Sequence, residues 1–382
     1  MTDLNDTLKT RSGDGSGPGA VGLVARGDQL EVRAVGSADA DGTTPMARDS
    51  IFRVASLTKP VVAAAVMMLV EDGRIALDDA VERWLPELAS PEVVRTPSGA
   101  VGDVVPAARP ITVLDLLTSL AGYGFSSDFS LPATGLLFSE LKQGPPQPQH
   151  VQEPDAWMAA LSRIPLLHQP GDTWLYNTCS DIQGVLIARV SGRSLPEFLA
   201  ERLFEPLGMT DTGFDVPAGK LDRFTHYYRT GPDSGLQLVD APDGQWSSVP
   251  AFPSGAGGLV STVDDWHAFA RMLLAGGTSG NRHLLSPGSV KQMTTDHLTP
   301  SQRRAGTLFL EGQGWGFGGS VDVAETNPWN VPGRYGWIGG TGTAAHIIPA
   351  TGTATILMSQ LELTGPTPPA RMRDFWRYAA GA

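Results

Sequence analysis

The sequence predicts an α/β fold of the α+β kind, in which strands from both ends share one sheet and a mostly helical stretch is inserted between them. Two patterns predict it. Strand-like runs fall at 20–25 and 29–35 near the start, and at 315–317, 344–348 and 353–358 near the end. Between 85 and 250, segments of helical spacing alternate with Pro- and Gly-rich loops. A length of 382 residues suits two domains, or one large domain with an insertion. The expected division is a discontinuous sheet domain, 1–85 with 255–382, and a mainly helical domain, 86–254.

In chain order, residues 1–18 read as a flexible lead-in rich in Gly, Ser and Asp. Gly27-Asp28 makes a hairpin turn between the first two strands. The run 61–70 is apolar on every side and stops at Asp72-Gly73, the pattern of a buried helix ended by glycine. Further helices are expected at 111–120, 156–164, 182–190, 195–203 and 263–275, with an irregular loop over 144–154. A last helix covers about 370–380. No internal repeat is found.

Composition excludes several classes. Hydrophobic residues are 41% and charged residues 18%, against about 25% charged on average, so the chain is not disordered. A net charge of −12 argues against a general nucleic-acid binder. The one cysteine, Cys179, precludes an intrachain disulfide and a cysteine-based zinc cluster. The start of the chain has no apolar segment of the export-signal kind, and no run reaches 18 apolar residues. The expectation is a soluble cytoplasmic protein without membrane contact.

Chemistry centres on one serine–lysine pair. No Gly-x-Ser-x-Gly elbow and no P-loop is present, and no Gly-x-Gly-x-x-Gly follows a strand. The seven histidines form no metal-ligand spacing. Ser-x-x-Lys occurs at Ser56/Lys59 and at Ser139/Lys142. Spacing of three puts both side chains on one helix face. Lys142 precedes Gln143-Gly144-Pro145-Pro146 and reads as solvated. Lys59, one of five lysines, lies in an otherwise apolar run, so its ammonium is buried or faces a cleft and its pKa should fall. That suits a general base for serine. Pro60 is tolerated only in a first turn, which starts the helix near Ser56 and places that serine at the positive end of the helix dipole. These residues alone also fit a capping serine beside a snorkelling lysine.

Further stretches add a resemblance. Phe52-Arg53-Val54-Ala55-Ser56-Leu57-Thr58-Lys59-Pro60 resembles the nucleophile motif of the class C β-lactamase and penicillin-binding superfamily. Pro170-Gly171-Asp172-Thr173-Trp174-Leu175-Tyr176 resembles the segment carrying that family's catalytic tyrosine, and residues 111–118, 205–214 and 255–262 are similar to other family stretches in the same order. The resemblance spans about 18–360. It implies a β-lactamase-like fold, with a central antiparallel sheet flanked by helices and the active site in the cleft beside the helical insert. It also implies Ser56, Lys59 and Tyr176 as catalytic residues, with the Tyr176 phenol ionising more easily beside an ammonium.

Three departures shape the expected function. The family's Tyr-x-Asn stands as Tyr176-Asn177-Thr178, without asparagine at the third position. Leu117-Thr118-Ser119-Leu120-Ala121-Gly122 replaces the family's His-Thr-Ser-Gly. Where the lactamases carry Lys-Thr-Gly, the chain has Trp337-Ile338-Gly339, which resembles the family VIII carboxylesterases. That likeness implies an oxyanion hole from the Ser56 and Gly340 N–H groups, and Trp337, Gly339 and Tyr123 against the substrate. The expected activity is hydrolysis of small, short-chain carboxylic esters through an acyl-enzyme, without metal or organic cofactor. The alternatives are a β-lactamase or D-alanyl-D-alanine-type peptidase, an acyltransferase, and a non-catalytic penicillin-binding module. The expected partner is a small-molecule ester; oligomeric state is not legible. Cys179 reads as a small buried residue.

Overall fold

The computed structural model describes residues 3–9, 17–231, 233 and 235–381. Both ends of the chain build one seven-stranded antiparallel sheet. Its strands are β1 (Gly19–Arg26), β2 (Gln29–Gly36), β3 (Gly314–Trp315), β4 (Ser320–Val321), β5 (Tyr335–Gly339), β6 (Thr343–Ile348) and β7 (Thr353–Ser359). Their order is β3-β4-β5-β6-β7-β1-β2, so the first strand lies between the last and the second. Gly27, at φ +56°, turns β1 into β2 at the expected place.

Alternate residues of β1 serve two cores. Val21, Leu23 and Ala25 face the larger core, which also holds the helix α2 (Thr58–Glu71). Ala20 and Val24 face the C-terminal helix, Ala370–Ala380. The expected lead-in is corrected here: Leu4–Leu8 is a short helix, α1, capped by Asp3, and Leu4 and Leu8 are buried on the second face. A Cβ at Gly22 would meet Leu8 at 3.0 Å, so glycine lets this helix lie close to the sheet. Residues 1–2 and 10–16 of that lead-in lie outside the described residues.

Helix α2 is apolar all round because it is buried all round, and its chain turns at Asp72-Gly73 as the sequence predicts. It packs against α3 (Thr178–Ser191), which Gly192 closes in the left-handed conformation. One predicted helix is shorter than its apolar pattern, and another changes pitch within its predicted span. Val113–Leu117 ends before Ser119, which sits at φ +60°. Leu195–Leu199 widens into a π-type turn over Ala200–Phe204. Among the described residues, no helix is long and apolar enough to cross a membrane.

Candidate active site

The chain reaches the candidate nucleophile along a two-residue strand, Phe52–Arg53, paired with Val260–Ser261. Ala55 takes φ +44°, an unfavourable conformation for a residue with a side chain, and swings Ser56 into a single 3-10 turn over Ala55–Leu57. Thr58 secures the turn, donating to the Ala55 carbonyl at 2.7 Å and accepting from the Leu259 N–H. Two threonines tie it to the β5–β6 hairpin: Thr341 donates to the Arg53 carbonyl (2.5 Å) and Thr343 to the Val54 carbonyl (3.0 Å). The Arg53 guanidinium is itself buried against Asp240 and donates to the Thr225 carbonyl.

Lys59 lies one helical turn on, 1% exposed. Its ammonium donates to Ser56 Oγ at 2.9 Å, Asn177 Oδ1 at 2.9 Å and the Ala256 carbonyl at 2.6 Å. Burial lowers its pKa to about 7, although the Asp181 carboxylate pulls the other way. A neutral amine has two N–H bonds and one lone pair. Asn177 and Ala256 can only accept here, so they occupy the two N–H bonds and leave the lone pair facing the Ser56 hydroxyl.

Tyr176 completes the cluster, its hydroxyl donating to Ser56 Oγ at 2.8 Å. Paired backbone hydrogen bonds with Phe125 hold its main chain, and the Lys59 ammonium lies 4.6 Å from its ring centre. The indole N–H of Trp337 donates to the Tyr176 oxygen at 2.7 Å. One expectation is corrected: burial pushes the Tyr176 phenol up to about 12, outweighing the hydrogen bonds that favour its ionised form. The resting phenol therefore keeps its proton, and Lys59 is the member of the cluster whose pKa lies nearest neutrality.

The structure brings Ser56, Lys59, Tyr176 and Trp337 together and distributes the other predicted residues differently. Gly340 is exposed on a cavity of about 310 Å³ beside Ser56. Gly339 is not on that wall: it is buried, and a Cβ there would meet the Val54 carbonyl at 2.3 Å, so its role is close packing of the hairpin on the nucleophile turn. Tyr123 is also off the wall. The loop between Gly122 (φ +91°) and Gly124 (φ +141°) carries its ring into the core, where it is 3% exposed. Cys179 is buried as expected, its thiol pushed up to about 12. In the second Ser-x-x-Lys copy, Lys142 is exposed and donates to the Ser139 backbone carbonyl, leaving that serine's hydroxyl to Glu140.

Two residues of the site were not foreseen. Asn177 follows Tyr176 directly; its φ of +83° and the Thr178 N–H to Tyr176 carbonyl bond form a γ-turn that aims its side chain at Lys59. Asp181, one turn into α3, is buried and accepts from Ser254, Gln143 and the Ala256 N–H. It thereby positions the carbonyl that receives the Lys59 ammonium. The available signals were an asparagine one place from its motif position and an acid at the head of an apolar helix.

The Beta-lactamase family model matches residues 4–377. The chain belongs to the beta-lactamase family. Protein Rv1367c of Mycobacterium tuberculosis is 40% identical to this family member over 334 residues, 85% of this chain and 81% of that protein. Esterase EstB of Burkholderia gladioli is 30% identical over 372 residues, 92% and 88% of the two chains. Among solved structures, EstCE1, a hydrolase with promiscuous acyltransferase activity, superposes with a TM-score of 0.76 at 24% identity, covering 96% of this chain and 94% of that one. The chain is thus a serine hydrolase of the beta-lactamase fold.

Proposed function

We propose that this beta-lactamase-family chain is a carboxylesterase that hydrolyses neutral esters through Ser56, Lys59 and Tyr176. The observation that carries the reading is the meeting of Lys59 Nζ and the Tyr176 hydroxyl at Ser56 Oγ, with the lysine pKa lowered to about 7. Neutral Lys59 takes the Ser56 proton as Oγ bonds to the ester carbonyl carbon. The oxyanion is received by the Ser56 and Gly340 N–H groups. On collapse the C–O bond to the alcohol breaks, Tyr176 gives its proton to the leaving alkoxide, and the Lys59 ammonium returns one to the phenolate. The Trp337 indole N–H stabilises that passing phenolate. Water then repeats the sequence on the acyl-enzyme and releases the acid.

The cavity is read as the cleft between the sheet-bearing part and the helical insert. Its walls carry Phe125, Phe129, Phe138, Phe252, Phe309 and Trp337. About 310 Å³ of such space holds more than a short acyl chain, so the proposed range extends from small esters to bulkier apolar ones. The likeness to Esterase EstB supports the ester reading over a lactam one. So does the resemblance of Trp337-Ile338-Gly339 to the esterase pattern at the place where the lactamases carry Lys-Thr-Gly.

The test compares p-nitrophenyl butyrate with a chromogenic cephalosporin, each with wild type and Ser56→Ala. Ester turnover that Ser56→Ala abolishes, with lactam turnover more than about tenfold slower, supports the proposal. Ester cleavage that survives Ser56→Ala, or lactam turnover that equals ester turnover, overturns it.

A further inference from the structure

One charged group on the cavity wall has no part in the chemistry above. After β7 the chain runs between two neighbours: the Glu362 N–H donates to the Tyr228 carbonyl at 2.8 Å, and the Leu363 N–H to the Gly340 carbonyl at 2.7 Å. These bonds fix Glu362 next to the Gly340 turn, and its half-buried side chain lines the same cavity as Ser56. Among the described residues its carboxylate forms no salt bridge. The phenol of Tyr227 beside it and the Arg229 guanidinium favour its ionised form, but burial outweighs both and raises its pKa. The other charges on the wall are Asp181, committed to Ser254, Gln143 and Ala256, and Lys142, exposed and bonded to Ser139.

We infer that Glu362 sets the charge preference of the site, turning away substrates with a carboxylate near the scissile bond and favouring those with a cationic group there. The inference rests on the esterase reading of Ser56. A substrate whose carbonyl oxygen lies at Gly340 brings its nearby substituents within reach of Glu362. In a partly desolvated cavity a carboxylate without a salt-bridge partner repels a second anion and attracts an ammonium, with less screening than in bulk water.

The experiment measures kcat/KM at about pH 8, above the usual carboxylate range, for three p-nitrophenyl esters of matched length. They are the butyrate, the hemisuccinate and the 3-(trimethylammonio)propionate. For wild type the expected order is cationic, neutral, anionic. Glu362→Gln is expected to raise the anionic-to-neutral ratio about tenfold and to lower the cationic-to-neutral ratio by a similar factor. A second measurement needs no variant. Raising salt from about 20 mM to about 500 mM should compress the wild-type order, because screening weakens the carboxylate's field. Ratios that stay within about twofold in Glu362→Gln, or a wild-type order indifferent to salt, overturn the inference. If Ser56→Ala still cleaves the butyrate, the esterase reading has failed first, and the inference falls with it.

Discussion

Replacing Asn177 with glycine removes one of the three acceptors around the Lys59 ammonium while preserving the backbone turn, because glycine tolerates the φ of +83°. A hydrogen bond to a charged group contributes about 1.5–3 kcal/mol, and roughly 1.36 kcal/mol corresponds to one pKa unit. Losing the Asn177 Oδ1 contact disfavours the ammonium, so the lysine pKa falls from about 7 by roughly one to two units. On the proposed mechanism the neutral amine is the active form, so kcat/KM rises with pH and its midpoint moves to lower pH in Asn177→Gly. The alkaline plateau drops as well, because nothing then directs one of the two amine N–H bonds away from Ser56. Asn177→Asp acts in the opposite sense. A carboxylate about 4 Å or less from the ammonium stabilises it by roughly 4 kcal/mol at an effective dielectric near 20, enough to raise the midpoint by about two to three units. The assay is p-nitrophenyl butyrate hydrolysis under kcat/KM conditions from about pH 5 to about pH 10, corrected for spontaneous cleavage. Opposite displacements are expected. A midpoint identical in wild type and both variants would refute the assignment of Lys59 as the titrating base.

Trp337→Phe keeps an aromatic ring but loses the N–H bond to the Tyr176 oxygen; a net loss of about 1 kcal/mol predicts a roughly fivefold fall in kcat with KM little changed. Gly339→Ala places a methyl 2.3 Å from the Val54 carbonyl and should lower both melting temperature and kcat. Gly340→Ala meets nothing within 4 Å, so its melting temperature should match wild type. Arg53→Met strands the buried Asp240 carboxylate and is expected to destabilise by about 3–5 kcal/mol in denaturant unfolding. Adding Asp240→Leu should recover most of that loss.

Much of this site is readable from residue type because its chemistry is local. Ser56, Lys59 and Pro60 lie within one turn, and a lysine in an apolar helix carries its own physical meaning. The alternation at 20–25 and 29–35 and the short apolar runs of β6 and β7 announce strands for the same reason. Other features depend on contacts between distant segments. β5 contains two glycines in five residues, a poor strand by propensity, and forms because β4 and β6 supply hydrogen bonds on either side. Asn177 reaches Lys59 only because the backbone inverts at that residue, which the neighbouring sequence does not signal. Gly339 and Tyr123 sit close in sequence to wall-forming positions, yet pairing with Thr343 and the flanking glycines send them into packed interior. The Tyr176 phenol is governed by its enclosure more than by the adjacent ammonium, and enclosure is a property of the whole fold.

The threonine ties between the nucleophile turn and the β5–β6 hairpin join positions 288 and 289 residues apart. During synthesis at about 5–20 residues per second, Ser56 and Lys59 leave the ribosome well over ten seconds before the hairpin that brings Gly340 to them. β1 must likewise wait for β7 before it has a partner on that side. A growing chain therefore exposes the serine and lysine without the proposed oxyanion pocket and without the burial that lowers the lysine pKa, so the pair is not yet activated. On the proposed mechanism hydrolytic power arrives only with the closing strands, so a ribosome that stalls midway releases an inert product rather than a poorly controlled hydrolase.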